Sequence, residues 1–148
     1  MRKFTTKEIE LCKKIAEKEE KELKCGDWII PHSYGGQPSI VLRVEPDGKH
    51  YAFTPDDKKG EHYILGFIDM NFPIWQEHDC LIWLKKKSWR ILDVYCGLKK
   101  PKDGWNVAII PWDGKVSDID GRRDVKEFEA KTFLEALLRA VLAILEEK

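Results

Sequence analysis

Ser39-Ile40-Val41-Leu42-Arg43-Val44-Glu45-Pro46-Asp47-Gly48-Lys49-His50-Tyr51-Ala52-Phe53-Thr54 reads as two strands joined by a tight turn. β-branched and aromatic residues crowd Ser39 to Glu45 and Lys49 to Thr54. Pro46-Asp47-Gly48 between them combines a residue that presets φ with one that accepts positive φ, so a hairpin is expected. The same pattern extends outward on both sides, where Asp27 to Ile30 and His62 to Ile68 read as strands. Gly35-Gly36 and Pro55-Asp56-Asp57 separate them from the hairpin. No link between these four runs is long enough for a helical crossover, so the sheet is expected to be mainly antiparallel.

Helices are expected at both ends. Phe4-Thr5-Thr6-Lys7-Glu8-Ile9 has a capping Thr5, a Glu8 at the reciprocal position, and Phe4 and Ile9 at the spacing of a hydrophobic staple. The helix that follows is expected to bury Ile9, Cys12, Ala16 and Leu23 and to stop at Gly26, with six Lys and six Glu between Lys7 and Lys24 as a solvated face. Thr132-Phe133-Leu134-Glu135 opens a second capped helix. There Leu134, Leu137, Leu138, Val141, Leu142 and Leu145 form a wide apolar face, expected to be the main lid of the sheet.

Between these landmarks, Asp69 to Asp79 reads as an irregular link, and Cys80 to Leu84 as either a short strand or the lead-in to a helix. Ser88 reads as the cap of a short middle helix from Trp89 to Cys96, with Trp89, Leu92 and Tyr95 on one stripe and Gly97 as its stop. Trp105 to Ile110 and Val125 to Glu129 read as further strands. The expected fold is therefore α+β: a mainly antiparallel sheet of five to six strands packed against N-terminal and C-terminal helices, plus a short middle helix. At 148 residues it fits one domain over residues 1–148.

Composition bounds the function classes. Hydrophobic residues are 43% and charged residues 35% of the chain, and 26 cations balance 26 anions, which describes a globular protein with no global polyelectrolyte partner. The N-terminus lacks the apolar stretch of a secretory signal, and no apolar run approaches the roughly 18–20 residues that span a bilayer. A cytoplasmic location and no membrane partner are expected. Cys12, Cys25, Cys80 and Cys96 form no Cys-x-x-Cys pair and are expected to be buried free thiols.

The chemistry-bearing residues form no established pattern. His78-Asp79-Cys80 followed by Cys96 supplies three zinc-type donors at a spacing that fits no closed structural site, so no metal is expected; whether His78, Cys80 and Cys96 converge is left to the fold. Val116 to Glu127 has acids and a Gly at calcium-loop positions. It places Val116 where the first ligand should be, and reads as a polar turn. Asp56, Asp57, Glu61, Asp69, Glu77 and Asp79 show no paired spacing for acid–base work, and no nucleophile elbow or phosphate loop is present. No cofactor is expected. An enzyme without a recognisable motif would have its site around residues 69–80.

Two features point instead to binding. Residues 85–102 carry seven cations, Lys85, Lys86, Lys87, Arg90, Lys99, Lys100 and Lys102, against one acid, Asp93, so this island is +6 and the rest of the neutral chain −6. With Trp83 and Trp89 beside it, the island is a candidate surface for single-stranded nucleic acid; the plainer reading is a solvated turn before a helix. As the two ends of a helix roughly 12 Å long, at about 1.5 Å per residue, its cations would form two clusters. The chain also has six tryptophans, of which Trp75, Trp83 and Trp112 lie near expected loops and are candidates for a partner surface.

Trp83-Leu84 leading toward Ser88, and Gly104-Trp105 followed by the Glu135-Ala136-Leu137-Leu138-Arg139-Ala140-Val141-Leu142 helix, resemble segments of small phage- and prophage-encoded proteins. The resemblance implies an α/β sandwich and carries no catalytic residue across. The preferred expectation is a non-catalytic binding or accessory protein, phage-derived, with a protein partner or self-association through aromatic surface. Nucleic-acid binding through the island and an unmotifed enzyme are the alternatives.

Overall fold

The computed structural model describes residues 2–32, 36–56, 62–96, 104–112 and 125–147. The element order is α1 (Thr6–Ala16), β1 (Trp28–Pro31), β2 (Ser39–Val44), β3 (His50–Asp56), β4 (His62–Ile68), β5 (Met70–Ile74), α2 (Glu77–Lys86), β6 (Trp89–Cys96), β7 (Trp105–Pro111), β8 (Lys126–Ala130) and α3 (Phe133–Glu146). The chain divides into two compact units, Met1–Ile74 and Trp75–Lys148. The α+β class, the antiparallel pairing, the two terminal helices and a short middle helix are as expected. The strands lie in two sheets, one of five strands in the order β4-β3-β2-β1-β5 and one of three in the order β6-β7-β8.

In the first unit the hairpin forms where Pro46-Asp47-Gly48 stands. Gly48 has φ +88°, its N–H donates to the Glu45 carbonyl at 2.9 Å, and the Glu45 N–H donates to the Lys49 carbonyl at 2.8 Å. Direct cross-strand partners share a face, so register sorts the side chains. Ile29, Val41, Ala52 and Ile68 form a buried cluster on one face, joined by Leu23 and Met70. The Ser39 and Thr54 hydroxyls on that face satisfy each other at 2.7 Å. The opposite face carries Trp28, Ile40, Phe53 and Leu65 in one row and Arg43, Tyr51 and Phe67 in the next. α1 packs against β5, and Phe4 meets Trp28 edge-on at 5.3 Å, closing the β1–β5 side of this second face.

α1 starts as its cap dictates: Thr5 Oγ1 accepts from the Glu8 N–H, and Glu8 Oε1 accepts from the Thr5 N–H. It ends at Ala16 rather than Gly26, and buries Leu11, Cys12 and Ile15 rather than Ile9 and Ala16. The Glu/Lys run after Ala16 offers no apolar residue until Leu23, so no packing rewards a longer helix. Instead Lys21 Nζ meets Asp27 Oδ2 at 2.8 Å with both side chains only 8% exposed, and Asp27 also accepts from the Lys24 N–H.

The second unit corrects the middle of the chain. The short helix is Glu77–Lys86, and Trp89–Cys96, expected as a helix, is strand β6. β-branched Ile91 and Val94 between aromatic residues favour the extended state. Ser88, expected as a helix cap, has φ +62° in the two-residue turn from α2 to β6. The stretch expected as an irregular link holds β5, paired antiparallel to β1, and then the start of α2, where the Gln76 N–H donates to Asp79 Oδ2 at 2.8 Å. β7 is central, with Asn106 to Ile110 all buried. Just before it, Gly104 has φ +109°, and a Cβ there would stand 2.1 Å from the Ala130 carbonyl oxygen, so only glycine lets β7 start against the end of β8. α3 packs on β7 and β8 and against α2, and buries all six residues of its expected apolar face. No described helix is long and apolar enough to cross a membrane.

Candidate functional site

Within the first unit, α1 leaves the β3–β4 side of the second sheet face open. Leu65 and Phe67 on β4 are each 55% exposed, and Leu42 on β2 is exposed as well. Tyr51 and Phe67, cross-strand partners, meet edge-on with centroids 5.4 Å apart. The Arg43 guanidinium lies 4.7 Å from the Tyr51 ring centroid and 5.9 Å from that of Phe67. A β-bulge between Val41 and Arg43 leaves Leu42 without a partner on β3 and sets Arg43 opposite Tyr51.

The rim of this face is neutralised locally. Arg43 Nε meets Glu45 Oε1 at 2.5 Å, and Lys49 Nζ approaches Asp47 Oδ2 at 4.0 Å. An open depression of about 510 Å³ lies along it, lined by Arg43, Glu45, Pro46, Asp47, Lys49 and Phe67. A second, of about 420 Å³, lies across the hairpin and includes His32, Asp47, His50 and Asp69. The arrangement is an apolar, partly aromatic centre with a charge-balanced polar border. A polyanion site would need uncompensated cations.

The residues singled out from sequence are placed differently. Trp75 is 3% exposed and Trp83 8% exposed, and they meet edge-on at 6.3 Å, so these two rings are core and present no partner surface. Trp112 is half-buried, with the Arg90 guanidinium 3.4 Å from its ring centroid and its backbone N–H donating to the Ser88 carbonyl. Lys85, Lys86 and Lys87 are exposed at the C-terminal end of α2, Lys87 Nζ lying 5.7 Å from the Trp83 ring centroid, and Arg90 is exposed on β6. Lys99, Lys100 and Lys102 lie outside the described residues, as does most of Val116 to Glu127. Because Trp89–Cys96 is extended, the chain leaves β6 about 24 Å from where the lysine run enters it, at about 3.4 Å per residue, rather than one short helix away.

His78 is exposed on α2 and Cys80 is fully buried two residues on, so these two donors point to different sides of the helix. The Cys96 side chain is outside the described part. Asp79 serves the α2 start, while its Oδ1 lies 3.4 Å from His78 Nε2. Cys12 and Cys80 are buried free thiols, whereas Cys25 is exposed.

Sequence reasoning passed over Tyr51, Phe53, Leu65 and Phe67. Their signal was present: His50 to Thr54 and Leu65 to Ile68 are apolar at both parities, although a sheet covered on one side needs only one. No protein-family model matches the chain, and no curated protein or solved structure matches it.

Proposed function

We propose that this chain is a non-catalytic binding or accessory protein whose partner docks on the open face of β2, β3 and β4. The carrying observation is the pair Leu65 and Phe67, each more than half exposed on one strand beside Tyr51 and Arg43. Large apolar side chains left in water together mark an interaction site. The paired rim charges favour a protein over a polyanion. A phage origin rests on the resemblance of the Trp83-Leu84 and Gly104 to Leu142 segments alone.

A photo-crosslinking residue placed at Phe67, with one at exposed Glu146 as control, tests the reading. Adducts from position 67 that vanish when Leu65→Ser is added, with none from 146, are expected. Equal labelling at both positions, or none at either, would remove the docking face.

A second reading is favoured by a separate observation. From Cys80 to Leu92 the chain carries Lys85, Lys86, Lys87 and Arg90, all exposed, and no acid. Within the described residues, that stretch of the basic island offers cations to a nucleic-acid backbone.

A further inference from the structure

Sheet edges expose unpaired backbone groups, and proteins blunt them with charge, proline, bulges or a covering element. The four edges among the described residues are β4, β5, β6 and β8. β5 contains Pro73 and is packed by α1. β6 carries Arg90 and Asp93 and has a register shift between Ile91 and Asp93. β8, Lys-Glu-Phe-Glu-Ala, has three charges in five residues. Among the described residues, β4 shows none of these devices. Its sequence, His-Tyr-Ile-Leu-Gly-Phe-Ile, contains no Lys, Arg, Asp, Glu or Pro, and it pairs with β3 over seven consecutive positions without a register shift.

Gly66 is the second observation. It sits mid-strand without positive φ, and a Cβ there would meet nothing within 4 Å. Neither backbone conformation nor packing among the described residues demands glycine at this position. A glycine inside a strand often marks the close approach of another backbone.

We infer that β4 pairs antiparallel with β4 of a second copy of this chain, across a twofold axis at Gly66. In that register Leu65 of each copy stands opposite Phe67 of the other, two aliphatic–aromatic pairs on the open face, and the five-stranded sheets join into one of ten strands. A second copy fits better than a charged partner. The Arg43–Glu45 and Lys49–Asp47 pairs neutralise the rim, and the whole chain has a formal net charge of +0, so apposing two copies brings no excess of like charge together. The contact is a single edge strand about 20 Å long, at about 3.4 Å per residue, a smaller contact than the roughly 800 Å² per partner that stable complexes bury, so the dimer is reversible.

This inference rests on the docking reading above and is tested apart from it. Sedimentation equilibrium of the intact chain from low micromolar to near-millimolar loading should show the average mass rising from one chain toward two. Phe67→Lys and Leu65→Glu should each weaken dimerisation at least about tenfold while keeping the wild-type circular dichroism and melting profile, because both positions are exposed. Mixing the two variants should restore a dimer, since the new lysine on one copy faces the new glutamate on the other. A wild-type chain that stays monomeric throughout, a dimer indifferent to both substitutions, or a mixture that fails to recover would each overturn it. Crosslinks from position 67 to other proteins by a strictly monomeric chain would keep the docking face and exclude self-pairing.

Discussion

Asp27 sits where α1 has ended and β1 begins, and its carboxylate holds Lys21 and the Lys24 N–H while its carbonyl accepts from the Val41 N–H. Two side chains only 8% exposed share this ion pair, so removing Asp27 takes a close counter-charge from a buried ammonium. Asp27→Ala is expected to destabilise the protein by roughly 3–5 kcal/mol, seen as a lower urea midpoint. Replacing both, as Lys21→Met with Asp27→Leu, should recover a large part of that loss, because an apolar pair of similar size leaves no buried charge. A double variant as unstable as Asp27→Ala would show that the Lys24 N–H contact, rather than the ion pair, is the important one. Nothing in the spacing of Lys21 and Asp27 announced the pair: within a run of six Lys and six Glu, every charge looks equally solvated. A single buried couple is set by the fold.

Elements were legible where local chemistry was decisive and obscure where it was divided. The hairpin at Pro46-Asp47-Gly48, the Thr5 cap and the α3 face need only nearby residues. The α2–β6 segment was inverted because its markers conflict. Ser88 is a common cap residue but takes positive φ here, and Gln76, a poor cap by type, precedes the true helix. The inversion also decides how the basic island acts. Lys85 and Lys86 now stand in the last turn of α2, where cations complement the helix dipole, which gives them a structural role without any ligand. If they and Arg90 bind nucleic acid as well, single-stranded DNA should shift the protein at low salt, and affinity should fall steeply as salt rises. Lys86→Glu with Lys87→Glu should then abolish the shift and leave crosslinks from position 67 unchanged. No shift at low salt, or one that survives charge reversal, would dismiss this surface.

Strands are visible in a sequence, but membership of a sheet is not. β1 pairs with β5 across 38 intervening residues, and nothing between Asp69 and Asp79 advertised a partner for Ile29 or Ile30. The division of the eight described strands into two sheets is therefore a property of long-range register alone. It bears on how the molecule folds, because each sheet has apolar partners within its own half. In Trp75–Lys148 the Trp75–Trp83 and Trp105–Phe133 ring pairs, the buried run Asn106 to Ile110 and ten buried residues of α3 all lie in one unit. A unit that supplies both sides of its own core can fold alone. Expressed by itself, Trp75–Lys148 is expected to show a cooperative thermal transition and dispersed amide resonances. Leu138→Ala in that fragment should lower its stability by roughly 2–5 kcal/mol, as for a fully buried leucine. A fragment without a cooperative transition, or one indifferent to Leu138→Ala, would show that the core of this half is completed by residues outside it.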